Sequence, residues 1–418
     1  MKVKLKYEVE SPYDYGLINA RGIDDVTAFM CPSKDFLQDP FDLDNMQEAI
    51  DLVDEYAGSK TLLILDSDMD GYCSSTILYS YIKGIYPDWE IDIAIHEAKG
   101  HGLGDILPYY DISDYDLILI PDAGSNDDEF FLEFPNKKFL VLDHHLRDIE
   151  GEIPNNVTVV NNQLSEKYEN KCLSGAGVTW QFCRAYDAAR GREEAEQYID
   201  LAATSIISDI MDTTHPENRY IIETGLNNIN NHFLKVLINN ASYNLGGNKI
   251  TPTGISFYIA PTINAMCRMG NREEKQRMFQ AFIDPFAQVE SNKRGAEKGT
   301  LVDVAVEALR EGHNAKGRQR TRQEKMIALC DQRIIENDLL QNKLLTIVLD
   351  SAFDGIPTEL NGVTASRIAE KTQHPVMIGR VNEEGDYKGS IRGLETIDMP
   401  PFKEFLLSSG LFNYVQGR

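Results

Sequence analysis

Nowhere in these 418 residues do apolar side chains run on for about 18 positions, so no segment qualifies as a membrane-spanning helix. The first residues, MKVKLKYEVE, carry lysines with no apolar stretch behind them, which argues against a secretory leader. Cysteine is sparse: Cys31, Cys73, Cys172, Cys183, Cys267 and Cys330 stand far apart, with no C-x-x-C pair. That spacing excludes a disulfide framework and a structural zinc site and points to reduced thiols in the cytoplasm. Basic charge is short as well, 41 Lys and Arg against 66 Asp and Glu, for a net charge of −25. Such a chain does not grip a duplex by bulk electrostatics. Metal-assisted chemistry on nucleic acid is not excluded, because carboxylates that hold cations count as negative in this sum and bound metal would reverse their local field.

Against that acidic background, AKGRQRTRQEK sets Lys316, Arg318, Arg320, Arg322 and Lys325 against the single Glu324. It reads either as a solvated basic helix face or as a surface that follows a phosphate backbone. With 42% hydrophobic and 26% charged residues, the chain has material for two or three cores. Residues 1–60 read as an N-terminal extension ending in a helix from Asn45 to Tyr56. Residues 61–285 alternate apolar runs (TLLIL at 61–65, DLILI at 116–120, FLVL at 139–142, VTVV at 157–160) with helical patterns at 74–86, 176–190 and 194–207. Continuous apolar runs of this length fit strands buried on both faces of a parallel sheet, so the fold class is α/β. Residues 286–340 read as a long charged helical connector with Gly295, Gly299, Gly312 and Gly317 as weak points. A second, smaller α/β unit at 341–418 starts with LLTIV (344–348), followed by a helix near 363–372 and VMIG (376–379).

The chemistry gathers where apolar runs end. In LILDSDMDG, Asp66, Asp68 and Asp70 are spaced by two and followed by Gly71, which allows a turn into a helix. Three crowded carboxylates repel one another unless cations neutralise them. A calcium loop would need a glutamate at its twelfth position, which is Ile77, and a helix before it, where TLLIL is strand-like. Asp122 follows the next run in DLILIPDAG, and Asp143, His144 and His145 follow another in KFLVLDHH. Ligands of open parallel sheets bind outside the carboxyl ends of the strands, and three successive runs deliver acid or imidazole there. A mixed Asp/His set without cysteine suits Mn²⁺ or Mg²⁺. ATSIISDIMD adds Asp209, with Asp212 equally placed on pattern alone.

DSDMDG, the aspartate of IPDAG, LDHH and SIISD follow, in order and spacing, the metal-binding motifs of the DHH phosphoesterases. ARGIDDVTAFMCPSKDFLQDPFDLDNM, GHGLG, LSGAGVTWQF and IAPTINAMCRMG resemble successive segments of the RecJ branch, and GVTASRIAEKTQHPVMI with KGSIRG resembles its DHH-associated substrate-binding domain. Pyrophosphatase relatives carry a histidine where Ile64 stands, which favours the nuclease branch. The resemblance implies two divalent cations, Mn²⁺ or Mg²⁺, one held by Asp66, Asp68 and Asp122 and the other by Asp70, Asp122, His144 and Asp209. It makes Asp143 the residue that orients the histidine pair and places His145 beside the scissile phosphate. It implies phosphate contacts at Asn264 and Arg268, and a terminal-phosphate pocket at Gly389, Ser390 and Arg392.

The match has departures. Where RecJ proteins usually carry an arginine for a 5′-phosphate, His96 aligns, with Lys99 nearby. The family's later glycine-histidine segment and OB-fold are absent before the chain stops at NYVQGR, which is expected to weaken the grip on single strands. The expected activity is a 5′-to-3′ exonuclease on single-stranded DNA, of the kind used in DNA repair and recombination. Hydrolysis of short oligonucleotides or cyclic dinucleotides is the alternative. A non-catalytic scaffold is disfavoured by the full ligand set.

Overall fold

A computed structural model of the chain describes residues 23, 29–97, 100–245, 250–350, 353, 355–381, 385–394, 402–412 and 415. Lys99 and much of the expected N-terminal extension lie outside these residues. The chain divides into two compact units, Met1–Ala315 and Lys316–Arg418. Among the described residues no helix is long and apolar enough to cross a membrane.

The first unit begins with helix α1 (Met46–Glu55), strand β1 (Thr61–Leu65), α2 (Met69–Ile85), β2 (Ile91–Ile95), β3 (Leu117–Pro121), α3 (Asp128–Glu133), β4 (Lys138–Asp143) and β5 (Val157–Asn161). The five strands form one parallel sheet in the order β2-β1-β3-β4-β5. Every residue of TLLIL and LILIP is buried, as the continuous apolar runs require. Alternate side chains (Leu62, Ile64, Ile118, Ile120, Phe139, Val141) share one face and pack with Leu103, Ile106 and Phe131. Cutting any of the leucines here to alanine costs about 2–5 kcal/mol. The strand order reverses between β1 and β3, and at that switch point the loops leaving the two strands diverge and open a crevice.

Helices α4 (Gly175–Arg190), α5 (Ile199–Ser208), α6 (Pro216–Asn227), α7 (His232–Leu245), α8 (Ala260–Met269) and α9 (Arg272–Ile283) follow in this unit. Helix α4 starts cleanly because Ser174 caps it, its hydroxyl accepting from Gly177 N at 3.2 Å. The stretch from 286, expected to be helical throughout, instead opens with an antiparallel hairpin of β6 (Gln288–Glu290) and β7 (Leu301–Asp303). Gly295 and Gly299, at φ of 87° and 84°, make turns that a helix cannot hold. Only then does α10 (Val304–Glu336) run for 33 residues.

In the second unit, the later part of α10 buries Met326, Cys330 and Ile334. Gln323 Nε2 donates to Val363 O at 3.3 Å and Thr364 Oγ1 to Met326 Sδ at 3.4 Å, tying α10 to α11 (Asn361–Thr372). Strand β8 (Leu345–Val348) pairs parallel with β9 (Val376–Val381), which pairs antiparallel with β10 (Tyr387–Arg392). A short helix α12 (Phe402–Ser408) follows. Arg320, Arg322 and Lys325 of the basic run are exposed, while Lys316 is half-buried.

Candidate metal centre

The D-S-D-M-D-G segment is a strand-to-helix elbow. Asp66 and Ser67 leave β1, Asp68 caps α2 by accepting from Gly71 N at 3.1 Å, and Asp70 lies in the first helical turn. Extended alternation therefore does not place Asp70; the helix does. Gly71 is required because a Cβ there would lie 2.6 Å from both Cβ and O of Asp66. Asp70 is fixed by the start of α4, with Gly175 N donating to its Oδ2 at 2.9 Å and Ala176 N to its Oδ1 at 2.8 Å. Ser205 Oγ also donates to Asp70 Oδ1 and stands 2.7 Å from Ser174 Oγ.

Asp122 follows β3 in a left-handed conformation, φ 67°, which a short polar side chain tolerates. Its N–H donates to Leu142 O at 2.8 Å, and its buried Oδ1 has no hydrogen-bond partner. A Cβ on Gly175 would fall 2.2 Å from that oxygen. Burial pushes the Asp122 carboxyl well above the usual carboxylate range, and Asp70, Asp68, Asp66 and Asp209 push it further.

At the end of β4, Asp143 Oδ1 accepts from His144 N (2.7 Å), His145 N (3.1 Å) and His145 Nδ1 (2.7 Å), and Oδ2 accepts from Ser125 N (3.0 Å). Burial alone would raise this carboxyl, but the adjacent His145 imidazole holds it well below the usual range. His144 Nδ1 lies 3.0 Å from Leu173 O and must donate to it. In the neutral ring, Nε2 then turns a lone pair toward Asp122 Oδ1 at 3.2 Å, Asp70 Oδ2 at 3.7 Å and Asp209 Oδ2 at 3.8 Å. Lone pairs facing one another repel unless a cation lies between them.

Among the described residues, three groups bring ligand atoms within 4.8 Å of one another: Asp66, Asp68 and Asp122; Asp70, His144 and Asp209; and Asp122, Asp143, His144 and His145. The oxygen-rich donor set, the unpartnered Asp122 oxygen and the His144 tautomer all fit divalent cations. Asp212, which pattern alone could not separate from Asp209, is in none of these groups, and its carboxylate accepts from Thr214 N at 2.7 Å and Thr214 Oγ1 at 2.6 Å.

The residues expected to bind substrate divide. Asn264 Oδ1 accepts from Met69 N at 3.0 Å and so braces the elbow, with Arg268 one turn on, its Nη1 3.3 Å from Asn264 O. His96 is corrected: it is buried, 1% exposed, with Nδ1 2.9 Å from Leu65 O and Nε2 3.1 Å from Gly102 O. An imidazole engaged on both nitrogens inside the protein has no edge to offer a 5′-phosphate. In the second unit, Ser390 and Arg392 alternate along β10. A Cβ on Gly362, at the start of α11, would lie 2.7 Å from Arg392 Nη2, and Asn361 Oδ1 beside it is buried without a hydrogen-bond partner. Gly389 owes its identity to strand packing, since a Cβ would lie 2.3 Å from Ile378 O across β9.

Sequence reasoning missed His101, half-exposed, whose Nδ1 is 3.0 Å from Asp66 Oδ1. Its ring stands edge-on to His145, centroids 4.6 Å apart. Burial would lower its pKa, but Asp66 raises it to about 10. Asp127, also missed, accepts from Leu103 N at 2.6 Å, and burial raises its carboxyl to about 6. The one available signal was the histidine set between two glycines in GHGLG.

A profile of the DHH family, N-terminal domain, matches residues 60–206. The chain is 34% identical, over 99% of its length and 72% of the other's, to the putative SPbeta prophage-derived single-strand DNA-specific exonuclease YorK of Bacillus subtilis (strain 168). It is 26% identical to the single-stranded-DNA-specific exonuclease RecJ of Thermus thermophilus, over 85% of this chain and 48% of that protein. It spans less than half of that RecJ. Among solved structures, RecJ of Thermus thermophilus in complex with Mn²⁺ has a TM-score of 0.65 at 23% identity, covering 88% of this chain and 50% of that one. An exonuclease RecJ bound to manganese gives 0.65 at 24% identity, covering 87% and 84%. These two share the fold.

Proposed function

The chain belongs to the DHH family, in its RecJ-like branch, and on that premise we propose that it is a metal-dependent exonuclease that degrades single-stranded DNA from its 5′ end. The observation that carries the reading is Asp122, a buried carboxylate with one oxygen unpartnered, common to two of the three donor groups at the switch point of the sheet. Asp66 and Asp68 would hold one divalent cation, Asp70, His144 and Asp209 a second, and Asp122 both. Bound there, Mn²⁺ or Mg²⁺ supplies Lewis-acid chemistry, activating water at neutral pH and offsetting charge on the phosphoryl group.

The protein's own groups do the rest. Asp143 takes the Nδ1–H of His145, so Nε2 is the atom this ring offers to a scissile phosphate. Leu173 O fixes the other imidazole, and the N–H groups of Gly175 and Ala176 hold Asp70 in place, so no donor has to reorganise when substrate arrives. In the second unit, Arg392 and Ser390 beside the first turn of α11 suit a phosphate, which takes guanidinium in a bidentate, charge-assisted pair. A cytoplasmic setting suits Cys31, Cys73, Cys172, Cys183, Cys267 and Cys330, none of them paired.

Single strands labelled at one end test this in Mn²⁺. A 5′ label should leave early as a mononucleotide while a 3′ label persists until late. Early loss of the 3′ label, or efficient cutting of circular single strands, would overturn the polarity, and no hydrolysis at all would overturn the enzyme.

A further inference from the structure

The turn that follows β2 is held from several sides, and among its described residues it delivers the His101 imidazole to the metal centre. His96 reaches from Leu65 O to Gly102 O, and its own carbonyl accepts from the buried Lys275 Nζ at 2.9 Å. Asp105 Oδ2 accepts from His101 N at 2.9 Å, and Asp127 Oδ2 accepts from Leu103 N. Gly100 and Gly102 admit no side chain, since a Cβ would lie 2.1 Å from His96 Cδ2 at the first and 2.4 Å from Asp127 Oδ2 at the second. Gly102 also needs its left-handed φ of 73°. So many constraints on a surface turn fix where His101 goes.

A carboxylate only accepts, so His101 Nδ1 donates to Asp66 Oδ1. Asp66 follows a strand end, and among the described residues no backbone N–H holds its carboxylate as Gly175 and Ala176 hold that of Asp70. We infer that His101 is a positioning residue of the metal centre: it sets the orientation of the Asp66 carboxylate through Nδ1 and steadies His145 through the ring contact. The inference rests on the reading that Asp66 holds a cation. Its physical basis is general, because a partner that orients a ligand is worth about 10- to 100-fold in metal affinity.

Calorimetric titration with Mn²⁺ tests this without reference to catalysis, on the parent and on His101→Ala, His101→Phe and His101→Asn. The asparagine amide can stand where Nδ1 stood, whereas phenylalanine keeps the ring and loses the donor. Ala and Phe should weaken Mn²⁺ binding by about 10- to 100-fold, and Asn should recover most of it. In chelator, Ala and Phe should unfold at a lower temperature than the parent, because the buried Asp66 carboxylate loses its partner, so each titration is run where that variant is fully folded. If Ala does not fold, Phe against Asn still decides, as both fill the site. Parent-like binding by Phe would overturn the hydrogen-bond role, and an Asn variant as weak as Phe would make His101 a direct ligand instead. A parent that binds no Mn²⁺ would sink the metal reading itself, a separate failure.

Discussion

Asp122, Asp143 and His144 lie almost wholly inside the first unit, each held by backbone groups of the strands and helices around it. Ser390 and Arg392 lie on β10, an edge strand of the second unit, where Ser390 is half-buried and Arg392 exposed. Both sets are suited to phosphate chemistry, yet they are built in opposite ways. Carboxylates taken out of water must be fixed and neutralised, so every neighbour of the first set is specified, down to glycines that cannot take a methyl group. A guanidinium at an edge loses little hydration, so two side chains and a helix start suffice. On the proposed function, precision at the first set would serve bond-making, and tolerance at the second would serve grip.

Removing one charge from the buried set should have the largest effect. Asp122→Asn keeps the left-handed backbone and the size but deletes the carboxylate, and should lower the exonuclease rate in Mn²⁺ by about 10³-fold or more. In chelator the same variant should unfold at a higher temperature than the parent, because the carboxylate it loses is held against burial and four like charges. A parent-like rate would remove Asp122 from the centre. Arg392→Ala should act on grip alone. A bidentate phosphate contact worth about 1.5–3 kcal/mol corresponds to about a 10- to 100-fold loss, read as a higher KM on long single strands with Mn²⁺ affinity untouched. Weakened metal binding in that variant would erase the distinction between the two regions.

The smallest effect concerns stability. Asp127 has its carboxyl raised from 3.8 to about 6 in the fold, so between those values the native state holds more protons than the unfolded chain. Stability from this group therefore falls as pH rises through that window, and the full cost is present above about pH 6. Asp127→Asn should be more stable than the metal-free parent at pH 7.5 by about 1–3 kcal/mol and no different at about pH 3.5. Urea unfolding at both pH values checks this. A gap of equal size at the two would mean that the amide acts by packing.

The parts of the site that were legible are those attached to strong periodic signals. TLLIL, LILIP and FLVLD are buried on both faces, so their apolar runs announce strands, and an aspartate just beyond such a run has few places to go. Strand β2 gave no such signal, since IDIAI alternates at a sheet edge with Asp92 exposed. Length and charge alone could not separate helix from hairpin at 286–303, where the left-handed glycines decide. Side-chain partners were the least legible. His96 aligned with a phosphate-binding position, but two carbonyls in the interior claim it. His101 reaches Asp66 across 35 residues of sequence through a turn with no apolar pattern to mark it.

The left-handed backbone at Asp122 also bears on how this gene can change. Single-base changes to an aspartate codon yield Asn, Gly, His, Tyr, Ala, Val or Glu. Asn and Gly suit that backbone but bring no carboxylate. Glu keeps the carboxylate and adds a methylene where Gly175 already touches the side chain. Apart from the synonymous change between its two codons, no neutral single-base step leads away from aspartate here while the chemistry is under selection. A lineage that abandoned catalysis and kept the fold would record it here, as Asn or Gly, with the sheet around it unchanged.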